Sequence, residues 1–108
     1  MPSITLYTSA THRLDADSFA EFSKTLVNLA RDILKAKENN IHISYVIAET
    51  EFGTPVYFEA SLRQEVFRTV PVLDDFMHQV DLLIKEKTGV IARIRCLSFE
   101  ADNTYATN

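Results

Sequence analysis

The sequence predicts an α+β domain in which two β-α-β units form one four-stranded mixed sheet with both helices packed on one face. Three observations carry that expectation. Four short stretches alternate apolar and polar residues, two longer ones place apolar residues at helical spacing, and they succeed one another as strand, helix, strand, then strand, helix, strand. With 108 residues, 46% of them hydrophobic, and only 2 Gly and 3 Pro, the chain has material for one core, so residues 1–108 are expected to form a single domain.

The first strand is expected over residues 3 to 8, with Ile4 and Leu6 on one side and Thr5 and Tyr7 on the other. A polar turn holding Thr11, His12 and Arg13 follows it. Asp15 and Asp17 are candidate N-caps for a helix whose apolar positions are Phe19, Phe22, Leu26, Leu29, Ala30, Ile33 and Leu34. Its polar face carries Glu21, Lys24, Asn28, Arg31, Asp32 and Lys35, and Asn39 with Asn40 offers a left-handed stop. Ile41 to Ile47 alternates again, the turn Phe52-Gly53-Thr54-Pro55 follows, and a third strand fits Val56, Phe58, Ala60 and Leu62. A second helix is expected after Thr69, with Pro71 in its first turn and Leu73, Phe76, Met77, Val80, Leu83 and Ile84 on one face. Lys85 and Lys87 suit its last turn and Gly89 its end. The last strand is expected over Ile91 to Phe99, with Ile94 and Cys96 facing one way and Arg93 and Arg95 the other.

The two halves correspond in element order, and each has an arginine, Arg13 or Arg68, between its first strand and its helix, which suggests a two-fold internal repeat. Leu97 and Phe99 face away from the helices. A two-layer monomer of this size leaves such residues uncovered, so either a symmetric oligomer covers them or the sheet stays partly exposed.

Charge and composition exclude several classes. A formal charge of -4, from 11 basic and 15 acidic residues, argues against nonspecific binding to nucleic acid or anionic membranes. Apolar runs such as Tyr45 to Ala48 are far shorter than the roughly 20 residues a membrane helix needs. The N-terminus lacks the basic and apolar regions of a secretory signal, and the lone Cys96 has no internal disulfide partner, so a cytoplasmic setting is the simplest expectation. No phosphate-binding glycine loop, Ser-His-Asp signature or nucleotide motif is present. His12, His42 and His78 are too scattered for a metal site, and Cys96, in an apolar strand, reads as core.

Pro2 is the most suggestive residue. Removal of Met1 would expose a secondary amine at the start of a strand, and apolar surroundings with nearby cations would lower its pKa toward neutrality, where general-base catalysis is efficient. Met-Pro by itself is far more often just an ordinary way to begin a protein. Arg13, Arg63, Arg68, Arg93 and Arg95 also stand out in an acidic chain, because guanidinium forks suit carboxylates. Taken singly, each is more readily a surface charge paired with an acid. Arg68 is the leading anion-binding candidate, since it lies in the turn that follows the third strand.

Met-Pro, the β-α-β-β-α-β order, Ser61-Leu62-Arg63 followed by Arg68-Thr69, and the terminal Arg95-Cys96-Leu97-Ser98-Phe99-Glu100 together resemble the tautomerase superfamily. Within it, the chain most resembles 5-carboxymethyl-2-hydroxymuconate isomerases of aromatic catabolism. The resemblance implies a homotrimer with sites near subunit interfaces and a cofactor-independent isomerase of an unsaturated 2-hydroxy or 2-oxo carboxylate. Pro2 would be its base, Arg68 would stabilise developing enolate charge, and Arg13, Arg63 and His42 would contact substrate, with no metal and no cofactor. Those isomerases have arginine near the start of the second strand, where this chain has His42 and Ser44. Alternatives on the same fold are a noncatalytic interaction trimer, and a hydratase, dehalogenase or decarboxylase of small unsaturated acids in which Glu100 or Asp102 activates water.

Overall fold

Alternation and helical periodicity resolve into β1 (Ser3–Thr8), α1 (Ala16–Ile33), β2 (His42–Ile47), β3 (Val56–Arg63), α2 (Val70–Thr88) and β4 (Arg93–Phe99) in the computed structural model, which describes residues 2–107. Single 3-10 turns lie at Ala10–His12, Glu38–Asn40 and Ala101–Asn103. The strands form one mixed sheet in the order β2-β1-β3-β4. β1 is parallel to β2 and β3 to β4, and the halves meet through the antiparallel pair β1 and β3, in which Leu6 opposes Phe58.

One face of the sheet is the core. Ile4, Leu6 and Thr8 of β1 and Val56, Phe58, Ala60 and Leu62 of β3 are buried on it, together with Phe22, Leu26 and Ala30 of α1 and Phe76, Val80, Leu83 and Ile84 of α2. Phe22, Phe58 and Phe76 are fully enclosed, each stabilising the fold by about 1.5–3 kcal/mol through burial alone. The edge strands contribute half-buried Ile43, Tyr45, Ile94 and Cys96 to the same face. The Tyr45 hydroxyl pins β2 to β1 and to the approach of α1, bonding Thr8 Oγ1 and accepting from Leu14 N.

Asp15 is the N-cap of α1, its carboxylate accepting from Ser18 N at 2.7 Å, while Asp17 lies in the first turn. The left-handed stop is Lys35, at φ 56°, rather than Asn39 or Asn40. The chain must reverse as soon as Leu34 is buried, and Ala36 N then bonds back to Ala30 O; the asparagines fall in the following 3-10 turn. Gly89, at φ 74°, ends α2 as expected, and Pro71 fits its first turn. β4 begins at Arg93 rather than at Ile91, which lies in an exposed stretch whose carbonyl instead accepts from Thr54 Oγ1. β2 likewise begins one residue later than expected, at His42.

The other face of the sheet is uncovered within one chain. Tyr7 and Tyr57 stack on it with centroids 5.6 Å apart, Arg93 lies over Tyr57, and the Tyr57 hydroxyl donates to Glu59 Oε2 at 2.7 Å. Leu97 and Phe99 are 40% and 45% exposed there. Among the described residues, no helix is long and apolar enough to cross a membrane.

Candidate functional site

β1 starts where β3 ends, because the two are antiparallel, and β4 ends beside β3 because those two are parallel. α1 runs back from the end of β1 to the start of β2, so its last turn arrives at the same end of the sheet. Pro2 lies there. It is buried, it continues the helix-facing alternation of Ile4 and Leu6, and its carbonyl accepts the His42 backbone N–H at 3.0 Å. His42 opposes Ser3, and its exposed side chain falls on the uncovered face of the sheet. The removal of Met1 lies outside the described residues.

Arg68, in the loop that enters α2, joins the ends of two elements here. Its Nε donates to Leu34 O at the end of α1 at 3.0 Å, and its Nη1 donates to Arg63 O at the end of β3 at 2.9 Å. Its guanidinium also lies over the Phe67 ring, 5.5 Å from the centroid. Burial lowers its pKa, an effect that nearby Glu65 opposes. Since a guanidinium has five N–H groups, the Nη2 edge remains for an anion.

A pocket of about 400 Å³ opens beside these groups, lined by Lys35, Lys37, Arg63, Glu65, Phe67 and Arg68 among others. Four cations and one acid therefore face a single cavity in a chain whose net charge is -4. Lys35 and Lys37 did not emerge from the sequence reading, which placed Lys35 on the polar helix face. The signal available was two lysines flanking Ala36 directly after an apolar helix face ends. A neighbouring pocket of about 440 Å³ is lined by Gln64, Glu65, Val66, Glu100, Ala101 and Asp102, so both acids considered for water activation lie at this end.

Pro2, His42, Arg63 and Arg68 are thus gathered at one end of the sheet, and Arg13 is at the other. The repeat itself explains the separation. Arg13 follows β1 and Arg68 follows β3 at matching positions, and antiparallel strands carry matching positions to opposite ends. Arg93 and Arg95 lie on the uncovered face. At Arg13's end, His12 Nδ1 is within hydrogen-bond distance of both Ser9 Oγ and Thr11 Oγ1. Cys96 is half-buried on the core side, where desolvation pushes its thiol pKa up to about 11, far from the reactive range. Among the described residues, no group of His, Cys, Asp and Glu side chains is arranged to hold a metal ion.

No family model matches the sequence, and no curated protein matches it either. Solved structures do match by fold. A structure of N1, a member of the cis-3-chloroacrylic acid dehalogenase family, superposes with a TM-score of 0.82 at 17% identity, over 97% of this chain and 80% of that one. A wild-type fused 4-OT symmetric trimer gives 0.74 at 13% identity, over 94% and 89%. Malonate semialdehyde decarboxylase, solved in wild-type form, as an alanine replacement of its position-one proline and in an inactivated form, gives 0.68 at 10% identity, over 99% and 92%. The four-stranded sheet with its two helices is the tautomerase fold.

Proposed function

We propose that the chain is a cofactor-independent tautomerase or isomerase acting on a small unsaturated 2-hydroxy or 2-oxo carboxylate. The observation that carries this reading is that Pro2 lies at the sheet end where Arg63 and Arg68 line a cationic pocket; Pro2 itself is buried, as the interaction-trimer alternative calls for, so the reading requires that loss of Met1 free its nitrogen. Once Met1 is removed, the Pro2 nitrogen takes the proton of the substrate's 2-hydroxyl. The electron pair left on oxygen forms the carbonyl, the double bonds shift, and the proton returns to a carbon of the conjugated chain. No atom is gained or lost. Arg68, through its Nη2 edge, and Arg63 hold the carboxylate and offset the negative charge that develops on the enolate oxygen. His42, tied by its backbone to Pro2, presents its exposed side chain on the uncovered face of the sheet.

We further propose a homotrimer. Leu97 and Phe99 need cover, the 4-OT match is a symmetric trimer, and Arg13 lies at the sheet end opposite Pro2 within one chain, so it would contact substrate there from a second subunit. A 5-carboxymethyl-2-hydroxymuconate isomerase activity is the specific reaction this reading favours. The second pocket, with Glu100 and Asp102 beside the same sheet end, supports hydration or dehalogenation of a small unsaturated acid as the other reading.

Intact mass together with an ultraviolet assay of phenylenolpyruvate and 2-hydroxymuconate ketonisation tests the proposal. A free Pro2 amine is expected, and Pro2→Ala should lower kcat/KM about 100-fold or more, the scale of a general base. Retained Met1 with no turnover, or an unaffected Pro2→Ala variant, would overturn it. Turnover confined to 3-chloroacrylate, and lost in Glu100→Gln, would select the second reading.

A further inference from the structure

We infer that Ser9 and His12, on the turn after β1, form a nucleophile and base pair beside a second pocket, and that this pair cleaves small uncharged carboxylic esters. The pocket lies at the end of the sheet opposite Pro2, so the inference does not rest on the proton-transfer reading.

The pocket arises from the repeat. β1 and β3 are antiparallel, with Ser3 opposite Ser61 and Thr8 opposite Val56, so a local two-fold relates the halves. Under it Thr11, Ile47, Ala48 and Glu49 correspond to Gln64, Glu100, Ala101 and Asp102, which line a pocket at the Pro2 end. The counterpart holds about 500 Å³. Its walls are tied to neighbouring strands by backbone bonds, Ser9 N donating to Pro55 O at 2.9 Å and Ala48 N to Thr8 O at 2.8 Å. The Pro2-end pocket carries Glu65, Glu100 and Asp102, whereas here Glu49 is the charged residue of the lining, beside the hydroxyls of Ser9, Thr11 and Thr50 and the apolar Ile47 and Ala48. Symmetry supplies a cavity at each end, and the side chains give the two different chemistry.

Ser9 and His12 are three residues apart on a 3-10 turn, where side chains at that spacing align, and His12 N donates to Ser9 O at 3.1 Å to hold the turn. Ser9 Oγ lies 3.0 Å from His12 Nδ1, and Thr11 Oγ1 lies 3.0 Å from Ser9 Oγ and 3.1 Å from Nδ1. With the imidazole proton on Nε2, Nδ1 accepts the Ser9 hydroxyl proton, the arrangement in which an adjacent base activates a weak oxygen nucleophile. Ser9 Oγ attacks the ester carbonyl carbon, its proton passes to Nδ1 and then to the departing alcohol, and the bond from carbonyl carbon to that alcohol's oxygen breaks. Water then adds to the serine ester, giving its proton to the same nitrogen, which returns it to Ser9 Oγ as the carboxylic acid leaves. Glu49 repels an anionic acyl group, so the acyl chain that fits is uncharged and rests on Ile47 and Ala48. Arg13, next to His12, is exposed and outside the lining.

The test is hydrolysis of p-nitrophenyl acetate by the full chain, followed as p-nitrophenolate release, with acid quenching and peptide mass mapping to locate the acetyl group. Wild-type protein is expected to turn over and to carry the acetyl group on Ser9. Ser9→Ala and His12→Gln should each lower release about tenfold or more, with far-ultraviolet circular dichroism unchanged. Ser9→Cys keeps a nucleophile at the same place and should still acquire the acetyl group there, which a merely structural hydroxyl would not explain. Ketonisation of phenylenolpyruvate should be the same in Ser9→Ala as in wild type, because Ser9 and Pro2 lie at opposite ends of the sheet. Acetyl confined to the Pro2 amine or to lysines, with release unaffected by Ser9→Ala, would overturn the inference. A His12→Gln variant that hydrolyses the ester as fast as wild type would overturn it as well, since the imidazole would then not be the base.

Discussion

Two of Arg68's N–H groups hold backbone carbonyls, one at the end of α1 and one at the end of β3, so this residue is framework and candidate ligand at once. Its removal should register in two measurements. Arg68→Ala is expected to destabilise the fold by about 1 kcal/mol in urea unfolding, the scale of a partly solvated charge-assisted hydrogen bond, and to lower kcat/KM about 10- to 100-fold. Arg68→Lys keeps the charge but cannot span both carbonyls, so it should share most of the stability loss and recover part of the activity. A variant that loses stability alone would confine Arg68 to the framework. The type of this residue and its place after the third strand were legible in the sequence. Its bond to Leu34 O was not, because that carbonyl comes within reach only after α1 has packed on the sheet. Arg13 shows the same limit. A repeat read along the chain pairs it with Arg68, and the antiparallel junction sets the two apart.

At the scale of elements, the helices were legible because periodicity and caps agree. Asp15 caps α1, and its carboxyl is held below its ordinary value chiefly by the Ser18 backbone N–H and then by the Ser18 hydroxyl. The folded pKa is thus lower than the unfolded one, so the stabilisation is present at neutral pH and fades as the pH falls through the carboxylate range. Asp15→Ala is therefore expected to lower the thermal midpoint at pH 7, and its difference from wild type should shrink below about pH 4. A pH-independent difference would mean that the cap acts through something other than its charge. The end of α1 was misread for a physical reason. Paired asparagines tolerate the left-handed conformation, but burial of Leu34 sets where the chain must turn, and Lys35 takes the position despite its side chain.

For the whole molecule, the sheet carries a built core on one side and a mixed surface on the other. Tyr7, Tyr57, Arg93 and Glu59 already contact one another on that surface, whereas Leu97 and Phe99 remain exposed. Under the trimer proposal these two lie in the interface. Replacing both with aspartate should convert a species of three chain masses into one of a single chain mass in sedimentation velocity, with little change in far-ultraviolet circular dichroism. Unchanged sedimentation would place the interface elsewhere. The alternation of β4 made the orientation of Leu97 and Phe99 readable in advance, but a single chain does not state what lies over them.

The β1 and β3 junction also bears on the time course of folding. Each parallel strand pair closes within its own half, through a crossover that contains one helix, whereas β1 and β3 are brought together from half the chain apart. The nearest partners of that pair, Thr8 and Val56, are 48 residues apart, against 39 for β1 and β2 and 36 for β3 and β4, so its closure costs only about 0.3 kcal/mol more. Docking along Ser3 to Thr8 is nevertheless the step that makes the sheet one, since β1 and β3 are the strand pair through which the halves meet. Substitutions at the Thr5 and Glu59 pair should slow refolding after dilution from urea, whereas those on the solvent face of α2 should alter mainly the rate of unfolding.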